Sequence, residues 1–70
     1  MKNKLAEVRN AKGISQAKLA ELSGVPRRTI QDWEAQKFEP GVYKLYRVAQ
    51  VLGCTIEELI NFEENEEKPE

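Results

Sequence analysis

The sequence predicts an all-α fold: a compact domain of five short helices, the second and third meeting at a sharp turn. Apolar residues recur at three- and four-residue spacing along most of the chain, the period of a helix face. No segment alternates apolar and polar residues with period two, so no sheet is expected. Gly13, Gly24 and Gly53 each follow a periodic segment, where a left-handed residue closes a helix. A length of 70 residues leaves room for one domain.

Leu5, Val8 and Ala11 form the first stripe. Leu19, Ala20 and Leu22 form the second, behind Ser15 as its N-cap. Ile30 and Trp33 make the third. Pro40-Gly41 marks a longer connection before the strongest stripe, Val42, Leu45, Val48, Ala49 and Leu52. Ile56, Leu59 and Ile60 finish, behind Thr55-Ile56-Glu57-Glu58, which matches a capping box. Helices this short are unstable alone in water and must pack crosswise on one core. The domain is therefore expected to span residues 1–62. Residues 63–70, with five Glu and one Lys, are too polar to fold and read as an acidic, disordered tail.

Composition narrows the function. No run approaches the ~20 apolar residues of a membrane span, and no apolar signal segment follows Met1-Lys2-Asn3-Lys4. A cytoplasmic protein without membrane contact is expected. The single cysteine, Cys54, lacks an internal disulfide partner and reads as a small half-buried hydrophobe. With no His, no Cys pair, no phosphate-cradling glycine loop and no isolated carboxylate pair, the chain is expected to be no enzyme. For the same reasons it is expected to hold no metal or cofactor. The net charge of −1 hides an asymmetry: residues 1–53 hold ten Lys/Arg against five Asp/Glu, whereas residues 54–70 hold one Lys against seven Glu. A basic body suggests an anionic partner.

Residues 15–34 carry the most specific signal. Close crossing of two helices needs a small residue, which Ala20 supplies, and the turn needs a residue tolerant of positive φ, which Gly24 supplies. Val25 fills the space under the turn, and Ile30 and Trp33 anchor the second helix of the pair. On a wheel of about 100° per residue, Arg28, Gln31, Asp32 and Ala35 lie opposite Ile30 and Trp33, with Arg27 and Thr29 at the flanks. That face could be a plain solvated surface. It also carries groups able to read major-groove edges: Arg for guanine, Gln for adenine, Asp for the cytosine amino group. Combined with the turn, the second meaning is preferred.

Gln16-x-x-Leu19-Ala20-x-x-x-Gly24-Val25-x-x-x-x-Ile30-x-x-Trp33-Glu34 resembles the helix-turn-helix of phage repressors and Cro, the XRE-like family. The similarity runs from Leu5 to about Ile60 and includes Arg9, Pro40 and the stretch Leu45–Leu59. It implies a repressor-like five-helix domain whose third helix enters the major groove while the second lies across it. By this resemblance Arg27, Arg28 and Asp32 are base contacts, to which the wheel adds Gln31. Gln16, Thr29, Lys37, Tyr43 and Lys44 are backbone contacts, and the amides opening the second helix add an anion site. Arg9 and Glu34 are expected to form a salt bridge joining the first and third helices. Trp33 belongs to the core, and Tyr46 to the rim of the fourth helix. Pro26 replaces the usual Ser or Thr cap of the third helix. Ala35-Gln36 stand where relatives often carry Asn-Gly, so the exit from that helix is expected to differ.

The function implied is a sequence-specific transcriptional regulator, a repressor, acting on double-stranded DNA. One helix reads only about four to six base pairs, too few to find a genomic site, so dimers on an inverted repeat are expected. The contact should lie near the fifth helix and be weak until DNA strengthens it. The alternative is an antitoxin-like interaction module, binding a partner protein as well as DNA.

Overall fold

The computed structural model describes residues 2–61. Met1, Phe62 and the acidic run 63–70 lie outside the described residues, and with them the expected tail. Five helices follow in order: α1 Leu5–Ala11, α2 Gln16–Ser23, α3 Arg27–Glu34, α4 Val42–Leu52 and α5 Ile56–Leu59. Local chemistry sets their ends. Ser15 Oγ accepts from the Lys18 amide at 3.0 Å and starts α2. Thr55 and Glu58 exchange side-chain-to-backbone bonds of 3.0 and 3.2 Å, satisfying two otherwise orphaned amides of α5.

The expectation of no sheet is corrected. Lys2–Asn3, strand β1, pairs antiparallel with Ile60–Asn61, strand β2, with Lys2 opposite Asn61 and Asn3 opposite Ile60. Two residues are too few to display an alternating pattern, so periodicity gives no sign of them. Ile60 thereby leaves the helical stripe: its backbone is extended (φ −118°, ψ 130°) and its side chain is buried.

The core gathers Leu5, Leu19, Val25, Ile30, Trp33, Leu45, Val48, Ala49, Leu52, Leu59 and Ile60, with α2 packed against both α3 and α4. Each large side chain so buried contributes roughly 1.5–3 kcal/mol. Of the other stripe members, Val8, Ala20 and Ile56 are half-buried against it, and three are exposed. Successive steps of three rotate by about 60° around a helix, which carries Ala11 out to solvent at the end of α1. Leu22 is 53% exposed because Leu19 and Ser23, four apart, take the inward line of α2. Val42 opens α4 before that helix reaches the core and is 70% exposed.

Candidate nucleic-acid interface

The turn between α2 and α3 rests on three residues. Gly24 is left-handed (φ 78°) and donates its amide to Ala20 O at 2.9 Å. A Cβ there would meet only Arg47 Nη1, at 3.7 Å, so backbone conformation rather than space demands glycine. Ser23, buried beside it, accepts the Val25 amide on its Oγ at 3.2 Å. Val25 fills the core below, and Pro26 opens α3 with φ −57° and no side-chain cap.

Ile30 and Trp33 point into the core while Arg27 and Arg28 are exposed on the other side of α3. The outward face is less open than the wheel implies. Thr29, Gln31 and Asp32 are half-buried. Arg28, whose side chain is 78% exposed, lies over Asp32, which is only 20% exposed, with Nε 3.5 Å from Oδ1. That pairing counters the repulsion an acidic residue would otherwise offer to phosphate.

Glu34, at the last turn of α3, ties three helices. Arg9 donates Nε to Glu34 Oε2 at 2.7 Å and Nη2 to Oε1 at 3.1 Å, and its Nη1 to Ile14 O at 2.8 Å. Gln16 donates Nε2 to Glu34 Oε1 at 2.8 Å. The Arg9 and Glu34 side chains are 12% and 9% exposed. Hydrogen bonding to Glu34 raises the Arg9 pKa above its ordinary value, against the opposing effect of burial. Gln16 therefore has one amide hydrogen engaged in the fold and a second left to offer.

The exit of α3 is closed by a left-handed residue that is not glycine. Gln36 has φ 61°, and the turn is a Schellman motif: Gln36 N donates to Trp33 O at 2.9 Å and Lys37 N to Asp32 O at 3.0 Å. That conformation costs a side-chain-bearing residue roughly 1–2 kcal/mol. Asn3 comes in from β1 to meet it. Asn3 Nδ2 donates to Trp33 O at 2.9 Å and to Gln36 Oε1 at 3.3 Å, and Asn3 N donates to Gln36 Oε1 at 3.2 Å. Gln36 Nε2 returns a bond to Asn3 O at 3.1 Å. Sequence reasoning missed Asn3, Ser23 and this use of Gln36. Only the Ala35-Gln36 departure hinted at any of it.

Thr29, Tyr43 and Lys44 come together with Trp33 and Glu39 around a shallow groove of about 380 Å³ between α3 and the start of α4. Tyr43 is 84% exposed there. Lys37 is exposed just beyond the α3 exit, apart from that groove.

A family profile described as helix-turn-helix matches residues 5–59. The chain is 35% identical over 66 residues to an uncharacterised helix-turn-helix transcriptional regulator of Methanocaldococcus jannaschii, covering 94% of this chain and 100% of that protein. It is 31% identical over 67 residues to the transcriptional regulator PuuR of Escherichia coli, covering 96% of this chain but only 36% of PuuR, so it spans about a third of that relative's length. Among solved structures it resembles the restriction-modification controller protein C.AhdI from Aeromonas hydrophila, with a TM-score of 0.76 and 33% identity, over 81% of this chain and 86% of that one. The chain belongs to the XRE-type helix-turn-helix family of DNA-binding transcriptional regulators.

Proposed function

We propose that the chain reads a specific double-stranded DNA sequence by inserting α3 into the major groove and acts as a cytoplasmic repressor, not an enzyme. The carrying observation is the division of α3, with Ile30 and Trp33 locked inward and Arg27 and Arg28 turned out. Arg28 and Arg27 supply forked donors for guanine, and Gln31 an amide for adenine. Asp32, held under Arg28, accepts from a cytosine amino group when the guanidinium swings to its own base. Thr29, Tyr43 and Lys44 around their shared groove, with Lys37 beyond it, hold phosphates on one flank. Gln16 and the opening amides of α2 hold the other.

Two copies bind an inverted repeat with half-sites about ten base pairs apart. An apolar groove of about 420 Å³ beside α5, lined by Tyr46, Ala49, Cys54 and Ile56 among others, supports self-association on that side. Selection of bound duplexes from a random-sequence library tests the whole reading. A single enriched inverted repeat, bound with an affinity that falls as salt rises, is expected. Failure to enrich any sequence refutes it.

A further inference from the structure

We infer that Asn3 and Gln36 are positioning residues for DNA reading: together they set the exit of α3, so that the first residues of the chain control how its outward face meets bases. The inference rests on the proposed use of α3 as the reading helix. Three observations carry it.

The turn after α3 needs a left-handed residue, and glycine would fill it without strain. This chain places Gln36 there at φ 61°. A strained conformation retained at a functional helix calls for a compensating role of the side chain, and every hydrogen bond that the Gln36 amide group makes within the fold goes to one partner, Asn3. Its Oε1 accepts from Asn3 N and Asn3 Nδ2, and its Nε2 donates to Asn3 O.

Asn3, for its part, is buried and spends every polar group at this junction. Its Nδ2 also takes Trp33 O, a carbonyl of the last turn of α3, and its Oδ1 accepts the Leu5 amide that opens α1 at 3.1 Å. Its backbone lies in the ladder opposite Ile60. The neighbouring Lys4 amide donates to Leu59 O at 2.6 Å. One residue thus links the end of α3 to the start of α1 and to the closing strand.

These contacts also lie at the end of α3 remote from the Gly24 turn. The turn fixes where α3 begins; Glu34 and the Asn3–Gln36 pair fix where it points as it leaves. Base reading by hydrogen bonds tolerates displacements of only about 0.5 Å. Phosphate attraction is far less sensitive to such a shift, so releasing the pair should lower specificity while sparing general DNA affinity.

Two substitutions separate positioning from stability because they share one loss and differ in the other. Gln36→Gly removes the clamp and the strain. Gln36→Ala removes the clamp and keeps the strain. Thermal melts of the full chain should rank Gly at or above the parent and Ala below it. Binding is then measured with the duplex that the parent selects from a random library and with a scrambled duplex of equal length. Both variants are expected to bind the selected duplex about five- to tenfold more weakly, with scrambled-DNA affinity and salt slope unchanged. Asn3→Ala should lower selected-duplex binding at least as much, since it also removes the bond to Trp33 O, and the double change with Gln36→Gly should lose less than the two separate losses combined.

If affinity for the selected duplex instead follows the melting temperature, retained in Gly and lost in Ala, the inference fails. It also fails if the Gln36 variants lose binding while Asn3→Ala, still folded, does not, since Gln36 would then touch DNA directly. Should the parent select no duplex at all, the DNA-reading proposal fails first, and melts alone would report the clamp's structural share.

Discussion

Replacing Glu34 by alanine should be among the most damaging single changes outside the apolar core. Three side-chain donors end on this carboxylate: Arg9 Nε at 2.7 Å, Arg9 Nη2 at 3.1 Å and Gln16 Nε2 at 2.8 Å. After truncation the Arg9 guanidinium, 12% exposed, keeps only its bond to Ile14 O. Breaking a fully buried ion pair by removing one member costs about 3–5 kcal/mol, much of it from the charge left unpaired. Here both side chains retain an edge to water, which places the expected loss nearer 2–3 kcal/mol. In a domain of this size that is roughly 10–20 °C of melting temperature. Urea unfolding followed by the fluorescence of Trp33, the sole tryptophan, measures it directly. The double change Arg9→Met, Glu34→Leu should recover stability to within about 1 kcal/mol of the parent, because no charge is stranded. A loss below about 0.5 kcal/mol for Glu34→Ala would mean that the pair behaves as an ordinary surface contact, and the reasoning would be wrong.

Other outcomes follow from the outward surface and the thiol. Arg28→Ala should cost about 1–3 kcal/mol of affinity for the selected duplex and relax preference at one base pair, read by repeating the selection with the variant. Lys37→Ala should weaken binding to all sequences alike and reduce the slope of log affinity against log salt by about one. Cys54 titrates above the ordinary thiol range, chiefly because burial disfavours the thiolate, with Glu58 adding to the rise and Lys12 opposing it. Its alkylation by iodoacetamide should therefore be slower at pH 8 than that of the urea-unfolded chain. The sign for stability follows from the raised folded-state pKa: the Cys54 contribution is complete below the unfolded thiol pKa and disappears as pH climbs through the folded one. Equal alkylation rates in the folded and unfolded chain would contradict that assignment.

The helical frame was legible because its signals are local and redundant. Ser15 and the Thr55–Glu58 box announce helix starts in their own side-chain chemistry, and Leu45, Val48, Ala49 and Leu52 repeat at the spacing of a single buried line. Stripe edges were harder to place. Ala11 and Leu22 lie at the edges of their own stripes and Val42 at the very start of α4, and which edge a neighbouring helix covers is contained in no window of sequence. The terminal ladder was invisible for a related reason: Asn3 and Ile60 are 57 positions apart and each strand spans two residues. At the site, the inward and outward sides of α3 followed from the angular positions of Ile30, Trp33 and Arg28. The half-burial of Asp32 and its pairing with Arg28 did not, because a wheel gives direction around the helix and not the reach of neighbouring side chains. Asn3 had no signal of its own, since a single polar residue near a chain end forms no pattern.

The knot of bonds on Glu34 bears on how such a domain could be retargeted. A peptide cut to residues 15–36 would retain both helices of the reading unit, yet it would lose Arg9 and Asn3, along with Leu5 and the α4 residues that share the core with Trp33. It should be a random coil in water, blind to any operator. New sequence preferences are therefore best sought by exchanging Arg27, Arg28 and Gln31 on the intact scaffold, with Arg9, Gln16 and Glu34 held fixed. Grafting the two helices into a foreign host would succeed only where that host offers its own cation at the matching spot.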